Sequence, residues 1–250
     1  MQIIKSLAEW QALRKNLRHS LGFVPTMGNL HPGHASLLQA SARENECTLL
    51  SIFINPTQFN NQDDFQNYPQ TLAQDLALAE ESKADYVLLP TYEELYPDNY
   101  HYQISELELS QTLEGAFRPG HFTGMLTVVL KLSNLAEAQR AYFGEKDYQQ
   151  LQLIRGLSQA FFIKTQIIGC PIIRNEFGLA LSSRNNRLTP EQWRQAPYFP
   201  AIFHSKQSCA EISAQLEEKG FKVDYVEEGQ GRRLAAVWLG DIRLIDNISA

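Results

Sequence analysis

His31 and His34 stand three residues apart in FVPTMGNLHPGH (residues 23–34), where an apolar run gives way to ASLLQASARE, a stretch with helical spacing. Residues three apart share one face of a helical turn, so both imidazoles can address one ligand. A helix opening near Gly33 offers free N–H groups and the positive end of its dipole, which suits a phosphate. Gly28 and Gly33 allow close backbone approach and conformations that side chains forbid. HxxH alone reads better as two capping or surface histidines beside a turn. The full strand–MGxLHxGH–helix arrangement points instead to an anion site. Zinc is disfavoured, because no third ligand accompanies the pair and HExxH is absent.

Three further stretches carry related chemistry. GEKD (144–147) puts Lys146 just past a strand, where an ammonium neutralises a phosphate as a point charge. Alone it would be an ordinary solvated lysine. Asp147 beside it can cap the following helix. LSSRN (181–185) sets two hydroxyls, Ser182 and Ser183, beside the guanidinium of Arg184. These groups fit phosphate oxygens, and without context they fit a polar interdomain loop equally well. Gln58 in NPTQF (55–59) and Gln150 in GEKDYQQ are neutral amides. Each alone reads as a surface residue. Together they can hold a carboxylate by hydrogen bonds without neutralising it, which leaves it a better nucleophile than an arginine partner would. GxxxxGK[ST], GxGxxG and GxSxG are all missing. Neither a P-loop nucleotidase, a typical dinucleotide fold nor a serine hydrolase is supported.

The elements that must position these stretches follow a βαβα rhythm. Strands are expected at 21–26, 48–55, 84–90, 141–144 and 164–173. Helices are expected at 35–44, at 71–82 with Leu72, Leu76 and Ala79 on one side, at 121–138, and from near Asp147. A strand-like start and a short helix precede them in MQIIKSLAEWQALRK. This alternation implies an α/β fold with a parallel sheet and helices on both faces. Ligands in such sheets bind beyond the carboxyl ends of the strands, where all four chemical stretches fall. The character then changes. Thr189–Pro190–Glu191 is a helix start, Ser208 to Lys219 is an amphipathic helix stopped by Gly220, and FKVDYVEE, RLAAVWLG and IRLIDN read as antiparallel strands. A domain boundary is expected within Leu181–Asn186.

Composition bounds the partners. With 250 residues, 44% of them hydrophobic and 20% charged, the chain buries a sizeable core and is not wholly disordered. A net charge of −6 with no Lys/Arg run argues against nucleic acid and anionic membrane. Cys47, Cys170 and Cys209 form no C-x-x-C pair, which argues against a disulfide framework and fits a reducing, cytoplasmic setting. No signal-length apolar core opens the chain, and no run approaches the ~20 apolar residues of a membrane span.

PTMGNLHPGH, SIFINPTQF, FGEKDYQQ and LALSSRN, joined by YPQTL, RPGHFTG and AVWLGDIRLIDN, resemble in order the pantoate–β-alanine ligase (pantothenate synthetase) family, from Met1 to about Asn247. HxGH alone marks only the wider nucleotidyltransferase superfamily. The resemblance implies a Rossmann-like nucleotide- and pantoate-binding domain over 1–183, a small α+β lid domain over 184–250, and a homodimer. It implies ATP as co-substrate with Mg2+, and pantoate and β-alanine as small-molecule partners. Pantoyl adenylate and pyrophosphate would form first, then pantothenate and AMP. Carried over by position, Met27, Gly28, Asn29, Leu30, His31, Pro32, Gly33 and His34 would line the ATP site, with His34 and His31 catalytic beside Lys146. Gly144, Glu145, Lys146, Asp147, Ile173, Leu181, Ser182, Ser183 and Arg184 would also hold ATP. Gln58, Gln150 and Asn55 would hold pantoate, and Asp75 matches a carboxylate of the magnesium region. Three features depart from the family pattern: Gln70 replaces the usual Arg, Met125 a common Val, and the 186–231 stretch is short. Two alternatives stay open. One is a nucleotidyltransferase with a phosphate or alcohol acceptor, such as a cytidylyltransferase. The other is a catalytically idle nucleotide-binding module.

Overall fold

Pro171 ends a strand that the apolar pattern would prolong, because proline brings no N–H to a ladder. In the computed structural model, which describes residues 1–60, 62–229 and 231–249 (Gln62 and Asp63 in backbone only), the strand expected at 48–55 stops at Ile52 and that at 164–173 spans only Gln166–Cys170. The chain forms two compact units, Met1–Glu145 with Gln149–Cys170, and Lys146–Tyr148 with Pro171–Ala250.

The first unit holds β1 (Gln2–Ile4), α1 (Leu7–Asn16), β2 (Leu21–Thr26), α2 (Pro32–Glu44), β3 (Cys47–Ile52), α3 (Gln62–Gln66), α4 (Leu72–Glu81), β4 (Tyr86–Leu88), α5 (Tyr92–Leu95), α6 (Glu114–Phe117), α7 (His121–Ala136), β5 (Arg140–Gly144), α8 (Tyr148–Ala160, which begins in the second unit) and β6 (Gln166–Cys170). The sheet is wholly parallel, in the order β1-β4-β3-β2-β5-β6. The order reverses between β2 and β5, so Thr26 and Gly144 end neighbouring strands at the switch point where such sheets bind ligands. β2 and β3 are buried along most of their length, which is why they read as continuous apolar runs. Val24, Leu50 and Val87 of the sheet pack with Leu37 and Leu38 of α2 and Ala79 of α4. The α4 stripe is corrected: Leu72 is 45% exposed, and the buried positions are Asp75 and Ala79. Leu76 packs against the same core, and the Asp75 carboxylate, whose backbone partners are described below, takes the buried place that Leu72 leaves.

The second unit holds α9 (Pro190–Gln195), α10 (Tyr198–Phe203), α11 (Cys209–Glu218) and the antiparallel sheet β7 (Lys222–Gly229), β8 (Arg232–Leu239) and β9 (Ile242–Ser249), with β8 central. Thr189 and Ser208 cap their helices in reciprocal boxes with Gln192 and Glu211, and Gly220 takes the left-handed conformation after α11. Phe199, Phe203, Ile212, Leu216 and Phe221 form this unit's own core against Ala235, Val237 and Leu244. The change of unit falls at Pro171, ahead of the expected 183/184 division. Residues 171–182 go with the second unit because Leu179 enters its core and Arg174 forks onto buried Asp246 at 2.6 and 2.8 Å.

Burial pushes the Asp246 carboxyl up, but hydrogen bonds from His204 (3.0 Å) and Arg174 outweigh it and hold the group below the ordinary carboxylate range. A depressed carboxylate stabilises the fold above its unfolded pKa of about 3.9 and loses that contribution as pH falls through the folded value. Acid unfolding of the intact chain should therefore begin below about pH 4. Asp246→Asn, which strands Arg174, should cost about 3 kcal/mol in urea denaturation at neutral pH.

Candidate active site

The 27–34 stretch is shaped by two successive left-handed residues, Gly28 (φ 81°) and Asn29 (φ 50°). They turn the chain so that the amides of Asn29 and Leu30 donate to Oδ2 and Oδ1 of Asp75, at 3.0 and 2.7 Å. Thr71 adds a third donor at 3.1 Å. Asp75 is 2% exposed, and its oxygens are engaged by these groups. That environment suits a residue that holds the loop. A Cβ on Gly28 would lie 3.0 Å from Asp75 Oδ2 as well as in the left-handed region. Gly28→Ala should therefore cost about 1–2 kcal/mol in denaturation experiments and lower activity by displacing the loop.

His31 is the N-cap of α2 and Pro32 its first residue. His31 Nδ1 accepts from the Gly33 amide at 3.1 Å, and His34 Nδ1 accepts from the His31 amide at 3.3 Å. A nitrogen that accepts carries no proton, so both neutral rings are protonated at Nε2. The two rings lie 4.1 Å apart between centroids. The helix start therefore presents two imidazoles of one tautomer, while its own first amides are taken: Gly33 by His31 Nδ1, and His34 and Ala35 by the His31 carbonyl at 2.8 and 3.1 Å. Gly33 is required for this: a Cβ there would meet the His31 ring at 2.7 Å.

Asn55 precedes, and Gln58 ends, the 310 turn Pro56–Gln58 beyond β3, and both are buried. Asn55 Nδ2 donates to Gln58 Oε1 at 3.0 Å and to the Gly124 carbonyl at 3.3 Å. Asn55 Oδ1 accepts from Tyr96 at 2.9 Å and from Thr57 at 3.0 Å. Burial pushes the Tyr96 phenol up to about 12, so it stays a donor at neutral pH. Gln58 Nε2 lies 3.2 Å from the Met27 sulfur, which joins this amide pair to the histidine loop. Arg118 donates to His121 Nε2 at 3.0 Å, which leaves the proton on Nδ1, where it meets the Gln58 carbonyl at 2.8 Å. α7 approaches so closely that a Cβ on Gly124 would lie 2.3 Å from the Thr57 carbonyl. Of the two adjacent glutamines, Gln149 spends its amide on the carbonyls of Leu109 and Thr112 and the amide of Glu114. Gln150 is half-buried and makes no side-chain hydrogen bond among the described residues, so it is the one available to a ligand.

In the second unit, Lys146 is 17% exposed at its side chain and lies 3.7 Å from Asp147. Its backbone carbonyl accepts from Asn247 of β9 at 2.9 Å. Asp147 thus pairs with its neighbour. The Leu181 amide donates to the Ile173 carbonyl at 2.9 Å, fixing those two positions together. The Ser182 amide and hydroxyl both donate to Asn185 Oδ1, at 2.6 and 2.5 Å. Ser182 thus forms a reciprocal capping box with Asn185 at the start of the turn that follows. Ser183 and Arg184 follow, half-buried, on the turn Ser183–Arg187. Gly144 and Glu145 lie in the first unit, at the end of β5 and just after it.

Sequence reasoning missed the supporting residues Tyr96, His121, Gly124 and Asn247. His121 and Gly124 sit in RPGHFTG and Asn247 in RLIDN, so the motifs were visible although their tasks were not.

The family model for pantoate-beta-alanine ligase matches residues 2–249. The chain is 60% identical over 248 residues to the pantothenate synthetase of Coxiella burnetii (strain Dugway 5J108-111), spanning 99% of this chain and 96% of that one. It is 55% identical to the pantothenate synthetase of Legionella pneumophila (strain Corby), spanning 99% of both. That relative is therefore close to this chain in total length. Among solved structures, the pantoate-beta-alanine ligase of Francisella tularensis, complexed with beta-gamma ATP and beta-alanine, superposes with a TM-score of 0.96 at 41% identity, covering 100% of this chain and 97% of that one. The sheet order, the site loops and these full-length matches agree, and the chain belongs to the pantoate–β-alanine ligase family.

Proposed function

We propose that this chain ligates pantoate and β-alanine to pantothenate at the expense of ATP, through pantoyl adenylate. The observation that carries the reading is the uncharged amide pair Asn55–Gln58 set against the histidine loop through Met27. A carboxylate held by neutral donors keeps its nucleophilicity, and a helix start with two imidazole N–H groups is suited to the phosphates it attacks. One pantoate carboxylate oxygen bonds to the α-phosphorus as the bond to the bridging oxygen breaks, and pyrophosphate leaves. The β-alanine nitrogen then bonds to the acyl carbon, AMP leaves with the shared oxygen, and the ammonium loses its proton. His31 and His34, with Lys146, Ser183 and Arg184, would neutralise charge on the nucleotide. Gln58 and Gln150 would hold and orient pantoate, with Asn55, whose amide protons go to Gln58 and Gly124, fixing Gln58 in the same wall, so that proximity supplies much of the rate. A phosphate acceptor would favour Arg or Lys at those positions, which weighs against a cytidylyltransferase.

Magnesium, a homodimer and a cytoplasmic setting belong to the same reading by family resemblance. No group of three acidic, histidine or cysteine side chains among the described residues could hold a metal, and Asp75 is occupied by loop amides. No step is assigned to the ion. No helix is long and apolar enough to cross a membrane among the described residues. AMP release measured with and without each acid tests the reading. It should require both pantoate and β-alanine, whereas binding of ATP without AMP release would support the idle module.

A further inference from the structure

Residues 146–148 are the part of the first 170 residues that belongs with the second unit. Two side chains of the C-terminal sheet hold them. Asn247 Nδ2 donates to the Lys146 carbonyl at 2.9 Å, and the Arg232 guanidinium lies 4.4 Å from the Tyr148 ring centroid. Arg232 also donates to Asn247 Oδ1 at 2.7 Å. A guanidinium only donates, so it fixes the amide's orientation and leaves Nδ2 facing the carbonyl. Asn247 is itself locked: it is 2% exposed, pairs with Leu234 across β8, donates its amide to Asp246 Oδ1 at 2.7 Å, and accepts from Arg174 at 3.3 Å. The chain of contacts runs from the buried Asp246–Arg174 pair through Asn247 to the backbone from which the Lys146 side chain departs.

We propose that Asn247, oriented by Arg232, is a positioning residue for Lys146, so that the last strand sets where the ammonium meets the nucleotide. The proposal rests on the reading that Lys146 binds ATP. Asn247→Asp tests it, because the carboxylate keeps an acceptor for Arg232 and removes the donor to Lys146. The readouts are pantoate-dependent ATP–pyrophosphate exchange and calorimetric ATP affinity, the latter measurable even where turnover is lost. Asn247→Asp should lower kcat/KM for ATP by roughly tenfold, the scale of one buried hydrogen bond, with KM for pantoate unchanged. In a Lys146→Ala background it should cause no further loss of ATP affinity, since its effect runs through the missing side chain. Wild-type ATP parameters, or the same loss in both backgrounds, would overturn the proposal. If Asn247→Asp does not fold, Arg232→Met, which removes the donor that orients Asn247, faces the same two criteria. Normal ATP use by Lys146→Ala alone would instead overturn the underlying reading, a result distinct from either outcome at Asn247.

Discussion

His34→Ala should leave the fold intact and slow adenylate formation by about 10²–10³-fold, the usual loss when one preorganised donor to developing charge is removed. The loss should fall mainly on kcat, because in the proposed reaction the Nε2–H group would meet charge that builds up in the transition state. The ring does two things, however. Its Nδ1 caps the His31 amide, and its Nε2 carries the proton. His34→Asn separates them. The asparagine Oδ1 can take the place of Nδ1 and keep the cap, while no group replaces the Nε2 donor. Stability in urea should follow the cap, with Ala about 1 kcal/mol worse than Asn. Turnover should follow the donor, with both variants equally slow. Near-normal turnover in either variant would remove His34 from the chemistry.

Lys146→Ala should weaken ATP use as severely, by about 10²–10³-fold in pantoate-dependent ATP–pyrophosphate exchange. The lysine is largely buried, so its charge is screened less than that of a solvated lysine. Lys146→Arg should recover only part of the loss, since a planar fork does not reproduce a compact point charge. Pantoate affinity measured without nucleotide should stay unchanged in both variants, because the amides proposed to hold it lie in the other unit. A parallel fall in pantoate affinity would contradict that division.

The fold was legible where the pattern was simple. The buried runs at β2 and β3 and the capped starts at Thr189 and Ser208 read directly, because apolar continuity and capping chemistry are local properties. Strand ends at Ile52 and Cys170 were less legible: the apolar pattern outruns the ladder, which stops at Cys170 before Pro171 and at Ile52 where its partner β2 ends at Thr26. Leu72 shows the limit of periodicity: spacing places it on the inner stripe, and the tertiary need of two loop amides gives that stripe to Asp75. The candidate site divides the same way. His31, His34, Lys146, Asn55 and Gln58 lie in motifs dense enough to name. Their supports do not, because Tyr96, His121 and Asn247 act across separations of 41, 63 and 101 residues. The tautomers of His31 and His34 were hidden too, since they depend on which amide each Nδ1 meets.

The central claim is that a pantoate carboxylate oxygen bonds to the α-phosphorus. Pantoate carrying heavy oxygen in its carboxylate, turned over with ATP and β-alanine, tests this directly by mass spectrometry of the products. One labelled oxygen should leave in AMP for each pantothenate formed, and pyrophosphate should carry none. Unlabelled AMP, or label in any other phosphate product, would contradict the account.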